Sequence, residues 1–220
     1  MSEVSAIEQE HILPSGPTKA KPKVKTTNVG SKKSIVRAAT AADINMVHKR
    51  LVEAIDTSPF YSDRFKIFEK QRLDIDYLRA LFDLDPYHLM LFVADDEPAG
   101  FMITSPQCGS LWLHWSYIFP EKRRASLAMA GFRALVEHWD NGRFHKIATY
   151  TKPDNAVTSI LTRYKFELTC ELKNHLFGED YLLYERKLNK TSPEYDNGVS
   201  TPGLKGRIKN YFISLLSNAS

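Results

Sequence analysis

Residues 121–140 carry the clearest periodicity in this chain. Ala128, Phe132, Leu135, Val136 and Trp139 follow the spacing i, i+4, i+7, i+8, i+11, which is one face of an α-helix. Asn141-Gly142 supplies its stop. A helix with one apolar stripe must bury it against another element. The segments on either side read as strands: 110–119, ended by Pro120, which cannot donate to a ladder, and Lys146–Thr151.

The rest of the chain extends this alternation. A short strand begins at Ser34-Ile35-Val36-Arg37. Thr40, with Asp43 three residues on, has capping-box spacing ahead of a helix carrying Ile44, Val47, Leu51 and Ile55. Residues 58–84 read as further short helices. Phe60, Tyr61, Phe65, Ile67 and Phe68 form one apolar face, and Ile75, Leu78, Leu81 and Phe82 another. The run Leu89–Ala94, the turn Asp95-Asp96-Glu97-Pro98 and the return 99–103 form a β-hairpin. After 146–151 come a loop at Lys152-Pro153-Asp154, a helix over 155–164, and strands over 166–172 and 181–187.

The 220 residues carry a formal charge of +4, and the surplus sits at the ends. Residues 1–33 hold six lysines against three glutamates; residues 203–220 hold Lys205, Arg207 and Lys209 with no acid. The first segment has too few large apolar groups to offset the entropy of ordering and is expected to be disordered. A basic tail of this kind suits solvation first, and otherwise nucleic acid, an acidic partner or a membrane surface. Residues 34–189 form the folded domain and 190–202 a linker. Leu204, Ile208, Tyr211, Phe212, Leu215 and Leu216 make a terminal amphipathic helix. It is too short to stand alone, so it is expected to dock on its own domain, a second copy, another protein or a membrane, with protein favoured because the helix is short and only modestly basic. Cys108 and Cys170 show no metal-ligand spacing and are expected to be buried reduced thiols. No apolar run is long enough to span a bilayer, and the acidic N-terminus lacks a signal core, so a soluble cytoplasmic protein is expected.

Three segments, within about residues 35–188, carry a resemblance to one known family. The first is the hairpin Phe92-Val93-Ala94-Asp95-Asp96-Glu97-Pro98-Ala99-Gly100-Phe101. The second is Tyr117-Ile118-Phe119-Pro120-Glu121-Lys122-Arg123-Arg124-Ala125-Ser126-Leu127-Ala128, where the family has a strand ending in Val-x-Pro and then Arg-x-x-Gly-x-Gly/Ala. Here Ser126 stands for the first glycine and Ala128 is an allowed last residue. The third is the stretch from Asn155 to Glu167, with Asn155 and Phe166 at family positions and Lys165 where glycine is usual.

Together these segments resemble the GNAT superfamily of N-acetyltransferases, and the resemblance implies an α/β acyl-CoA N-acyltransferase fold: a mixed, mostly antiparallel sheet of six to seven strands with helices on both faces. It implies acetyl-CoA as the acyl donor, held by Tyr117 and Ile118 on the strand, by Arg123, Arg124, Ala125, Ser126, Leu127 and Ala128 at the helix start, and by Asn155. Backbone N–H groups at a helix N-terminus, with its dipole, attract a pyrophosphate. The basic run Lys122-Arg123-Arg124 opposes that dipole and is better explained by a bound anion. Leu161 stands where the family often has the tyrosine that protonates the departing thiolate, a role leucine cannot fill. Tyr164, one turn later and about 60° around the helix, is the candidate acid in its place if the helix is rotated or shifted. His114 is the candidate base, with Glu121 a weaker one. Strand alternation puts Trp112, His114, Ser116 and Ile118 on one face and Leu113, Trp115 and Tyr117 on the other.

No paired metal ligands, nucleotide-binding glycine fingerprint or serine or cysteine nucleophile signature is present, so no metal is expected. Two functions fit. One is acetyl transfer to a primary amine of a small molecule or protein. The other is a GNAT-like binding or structural protein without turnover, phage-associated for example and then in a virion or host cytoplasm, that works through its basic tail and terminal helix.

Overall fold

The computed structural model describes residues 35–123 and 125–191. The tail at 1–33, Arg124, the linker beyond 191 and the 203–220 segment lie outside the described residues. Among the described residues seven strands form one sheet: β1 (Ile35–Ala38), β2 (Leu89–Ala94), β3 (Glu97–Gln107), β4 (Ser110–Ile118), β5 (Lys146–Thr151), β6 (Glu167–Leu176) and β7 (Glu179–Lys187). Their order is β1-β2-β3-β4-β5-β7-β6. Every neighbouring pair is antiparallel except β4 and β5. Five helices among the described residues cover the sheet: α1 (Ile44–Thr57), α2 (Asp63–Arg72), α3 (Ile75–Leu84), α4 (Ala125–Trp139) and α5 (Val157–Arg163).

The sheet separates two apolar layers. On one side Val47, Leu51 and Ile55 of α1 and Leu78 and Leu81 of α3 pack on Leu89, Leu91, Phe101 and Ile103. On the other, Leu127, Phe132, Leu135 and Trp139 of α4 and Leu161 of α5 pack on Met90, Phe92, Met102, Leu111 and Leu113. Strand β2 supplies alternate residues to both layers, which is why it reads as an unbroken apolar run. The capping spacing at Thr40 is realised: the Asp43 carboxylate accepts the Thr40 N–H at 2.7 Å and pairs with Arg37 at 2.8 Å.

The hairpin turn is built on Asp95 and Asp96, with φ of 57° and 65°. Two successive left-handed residues match the twist of a two-residue hairpin. Gly100 follows because nothing larger fits: a Cβ there would lie 2.4 Å from the Tyr117 carbonyl oxygen and 2.8 Å from the Phe92 ring.

Several expectations are corrected. The long helix begins at Ala125, after a 3-10 turn at Pro120–Lys122, because Pro120 fixes a tight turn first. Helix α5 begins at Val157, since Asn155 folds back on its own backbone. Strands β6 and β7 run further than their apolar cores and meet in a tight turn at Phe177 and Gly178. On α2 only Phe65 of its apolar residues is buried; Ile67, two positions on and so on the opposite face, is 58% exposed, and Phe68 is 45% exposed. Both cysteines are exposed: Cys108 sits in the β3–β4 turn, and Cys170 lies on β6, the sheet's edge strand.

Candidate active site

The parallel pair β4 and β5 is held together only at its start, where Ser110–Trp112 lie opposite Lys146–Ala148. Beyond that the strands part. β4 stays paired with β3 through to Ile118, and β5 stays paired with β7 through to Thr151. The result is a wedge in the middle of a sheet, with the facing backbone edges of both strands unpaired by one another. At its apex the Thr149 hydroxyl donates to the Leu113 carbonyl at 2.9 Å.

A bulge in β4 sets the wedge's walls. Ile103 lies opposite Trp115 and Thr104 opposite Leu113, which leaves His114 as the extra residue. The bulge breaks the expected alternation. Leu113 joins the α4 layer, while Trp115 and Tyr117 pack against the α1–α3 layer.

A cavity of about 260 Å³ occupies the wedge. Tyr117, Arg123, Asn155 and Leu161 reach it, together with the 57–61 loop after α1. Arg123 is exposed and makes no ion pair among the described residues. Lys122 is turned away to Glu97 at 2.8 Å, and Glu121 pairs with Arg50 at 2.5 Å. Ser126 is exposed on the first turn of α4, Ala128 is half-buried, and the Leu127 side chain is buried in the core, so only its backbone is open to a ligand. Of Ala125 only the backbone is described. The Ile118 side chain packs on the α4 layer. The Asn155 carboxamide oxygen accepts the Val157 N–H at 3.0 Å, leaving its NH₂ group as the available donor.

Neither candidate for acid–base work stands free. The His114 Nδ1 is 3.4 Å from the Arg72 guanidinium, and Nε2 is 2.6 Å from Ser105 Oγ. A guanidinium only donates, so Nδ1 accepts and Nε2–H donates to Ser105. Burial, reinforced by Arg72, pushes the imidazole down to about 3, so it is neutral and weakly basic at neutral pH. The Tyr164 hydroxyl donates to the Met129 carbonyl, and its ring stacks on Phe132 at 5.7 Å, outside the cavity lining. Leu161, 1% exposed, lines the cavity wall without any polar atom.

Sequence reading missed what surrounds His114. Glu69 is 3% exposed on α2. It receives Arg72 through both oxygens, at 2.6 and 2.8 Å, and the Trp115 indole N–H at 2.8 Å. In the sequence Glu69 sits in the charged string Glu-Lys-Gln-Arg, and nothing there distinguishes it. Tyr61 also faces the cavity, its phenol pushed up to about 12 by burial and the nearby Glu69. Among the described residues no cluster of three His, Cys, Asp or Glu could hold a metal, and no helix is long and apolar enough to cross a membrane.

No family model and no curated protein matches the sequence. Solved structures do match the fold. YncA of Salmonella typhimurium, a putative acetyltransferase solved with acetyl-CoA, superposes with a TM-score of 0.59 at 12% identity, over 73% of this chain and 97% of its own. An N-acetyltransferase of Staphylococcus aureus gives 0.57 at 16%, over 71% and 99%. A ribosomal-protein-alanine N-acetyltransferase of Brucella melitensis gives 0.56 at 17%, over 70% and 99%. With its strand order, its single parallel pair and its wedge, the chain has the GNAT acyltransferase fold.

Proposed function

We propose that this protein is an N-acetyltransferase that moves an acetyl group from acetyl-CoA to a primary amine. The observation that carries the reading is the wedge between β4 and β5, which leaves an unpaired backbone edge in a cavity that Arg123, two residues before α4, also lines. The residues present fit the donor. The wedge offers backbone N–H and C=O groups for an amide-containing arm, and Asn155 adds a side-chain donor. Arg123 and the N-terminus of α4 offer positive potential for a pyrophosphate.

When bound, acetyl-CoA supplies a thioester carbonyl: a nitrogen–carbon bond forms as carbon–sulfur breaks, the sulfur leaves with the bonding pair, and the amine's proton passes to it through solvent. The chain's own part is positioning. The bulge at His114 and the Thr149–Leu113 bond fix the wedge's apex, and the Glu69–Arg72 pair fixes the Trp115 indole beside it. Holding reactants in a near-attack geometry is worth effective molarities of about 10⁵–10⁸ M.

Leu161 favours a second reading, a GNAT-shaped binding protein without turnover, since an apolar side chain lines the cavity where the family often has the tyrosine that protonates the thiolate. Calorimetric titration with acetyl-CoA, followed by thiol-release assays over an amine panel, separates the two. Micromolar binding with thiol release supports the enzyme. Binding without release supports the second reading, and no binding at millimolar acetyl-CoA refutes the cofactor site. Arg123→Glu is expected to abolish binding while leaving the circular dichroism spectrum unchanged. Unchanged binding would show that the pyrophosphate lies elsewhere.

A further inference from the structure

On the far side of the β4 bulge lies a second cavity of about 310 Å³. It is bounded by α2, β4 and the β6–β7 hairpin, and it shares Tyr61, Leu113, His114, Trp115 and Tyr150 with the wedge. A molecule seated in it would therefore meet the wedge at the shared wall.

Its lining is aromatic. Tyr61 stacks on Phe65 at 4.4 Å and meets the edge of Trp115 at 5.7 Å. Phe65 lies 6.3 Å from Tyr181, and Trp112 lies 4.8 Å from Tyr150. Phe68, an exposed lining residue, meets exposed Phe177 just beyond the lining edge-on at 5.5 Å, which carries the apolar surface outward. Exposed phenylalanines at the mouth of a cavity suit a ligand that covers them.

The charges in the lining are Glu69 and Arg72, and they neutralise each other in a bidentate pair. His114 is neutral. No surplus charge is left for a ligand carrying several charges. A polyamine or a phosphorylated sugar would shed its hydration here with no countercharge to replace it. A flat ring, by contrast, finds edges and faces of other rings at stacking distance. The volume is at the low end of the roughly 300–1,000 Å³ usual for small-ligand sites, enough for one ring or a fused pair with a short side chain.

We propose that this cavity seats the acceptor, and that the acceptor is a monoamine carried on a flat aromatic body. The ring lies among Phe65, Trp115 and Tyr150, and the amine reaches past Tyr61 and His114 into the wedge. This rests on the acetyltransferase reading above.

The test uses the full chain and measures binding separately from turnover. Phenylethylamine, tryptamine, spermidine and a lysine-bearing peptide are titrated calorimetrically and by tryptophan fluorescence, which Trp112 and Trp115 in the wall would report. Phenylethylamine and tryptamine are expected to bind, spermidine and the peptide not. Tyr150→Ser, at a partly exposed position, is expected to weaken the aromatic amines about tenfold, the loss of one ring contact. Trp115→Phe, which keeps a ring in place, is expected to weaken them less. Acetyl-CoA is titrated in parallel. If it binds and no aromatic amine does, or if spermidine or the peptide binds more tightly, the acceptor assignment is overturned and the acetyltransferase reading stands. If aromatic amines bind and acetyl-CoA does not, the acetyltransferase reading falls, and the acceptor role with it.

Discussion

Mild acid is expected to unfold this domain through two histidines that are buried without charge. His88 is fully buried, its Nδ1 3.0 Å from Thr104 Oγ1 and its ring stacked on Trp139 at 4.7 Å. Burial pushes its pKa from 6.5 to about 3, and His114 is held equally low by burial and Arg72. An unfolded histidine takes up a proton below about 6.5, while these two refuse one until about 3. Between those values the unfolded state binds more protons, so stability falls as pH falls. Each histidine contributes about 1.4 kcal/mol per pH unit in the middle of that window, and the two together about 2.7. Two units of acidification then remove about 5 kcal/mol, comparable with the whole stability of an ordinary domain at about 5–15 kcal/mol. His138, also lowered by burial, acts in the same direction. Asp43, held at about 2 by Arg37, contributes stability that is lost only as pH falls from its ordinary value through 2, below most of the window. Urea titrations followed by tryptophan fluorescence at several pH values from about 7 to 5 would measure the slope. His88→Gln should flatten it by about half, whatever it does to stability at neutral pH. A stability independent of pH over that range, or a slope unchanged in His88→Gln, would refute the argument.

Two substitutions test the fold and the wedge. Gly100→Ala places a methyl 2.4 Å from a backbone oxygen that cannot move without disturbing the β3–β4 ladder. It is expected to cost about 1–3 kcal/mol in urea titration, the range for overpacking. Leu161→Tyr puts a phenol on the wedge wall. It is expected to raise thiol release with a bound amine by at least about tenfold, short of the 10²–10⁴ of an evolved general acid, and to lose about 1 kcal/mol of stability. Initial rates alongside thermal melts read both effects.

The fold was legible because its signals are local. The periodicity of α4, the two-residue turn at Asp95 and Asp96 and the double-sided apolar run of β2 each arise from residues adjacent in sequence. Gly100 shows the same for a motif: the glycine that made the hairpin familiar is the residue on which β4 closes. The site was legible in part. Of the residues named from the resemblance, Tyr117, Arg123 and Asn155 line one cavity, from β4 and two loops, while Ile118, Ser126, Leu127 and Ala128 are not in its lining. What failed depended on register. The extra residue at His114 reverses the face of everything after it, and no composition signal marks a bulge. Burial failed for the cysteines and for Ile67 because apolar neighbours in sequence do not fix which side of an edge strand or short helix meets the core. Glu69 could not be picked out because its importance comes from Trp115 and His114, which only the fold brings near.

The chemistry this wall allows sets one last expectation, for the pH dependence of turnover. His114 is held near 3, Tyr61 is pushed up to about 12 and Tyr150 is raised by burial, so these three do not change charge between about pH 6 and 9. Leu161 and the bound hydroxyl of Tyr164 contribute no acid. The nucleophile is then limited by the ionisation of the amine itself, since only its neutral form attacks. The ratio kcat/KM is expected to rise about tenfold per pH unit until the pKa of the free amine is reached, and to shift with that pKa when a less basic aromatic amine replaces phenylethylamine. An enzyme working through a histidine base would instead show a limb near 6–7 that stays put as the amine is changed. Such a limb, lost in His114→Gln, would mean that the Arg72–His114–Ser105 arrangement opens when substrates bind, and positioning alone would no longer account for the rate.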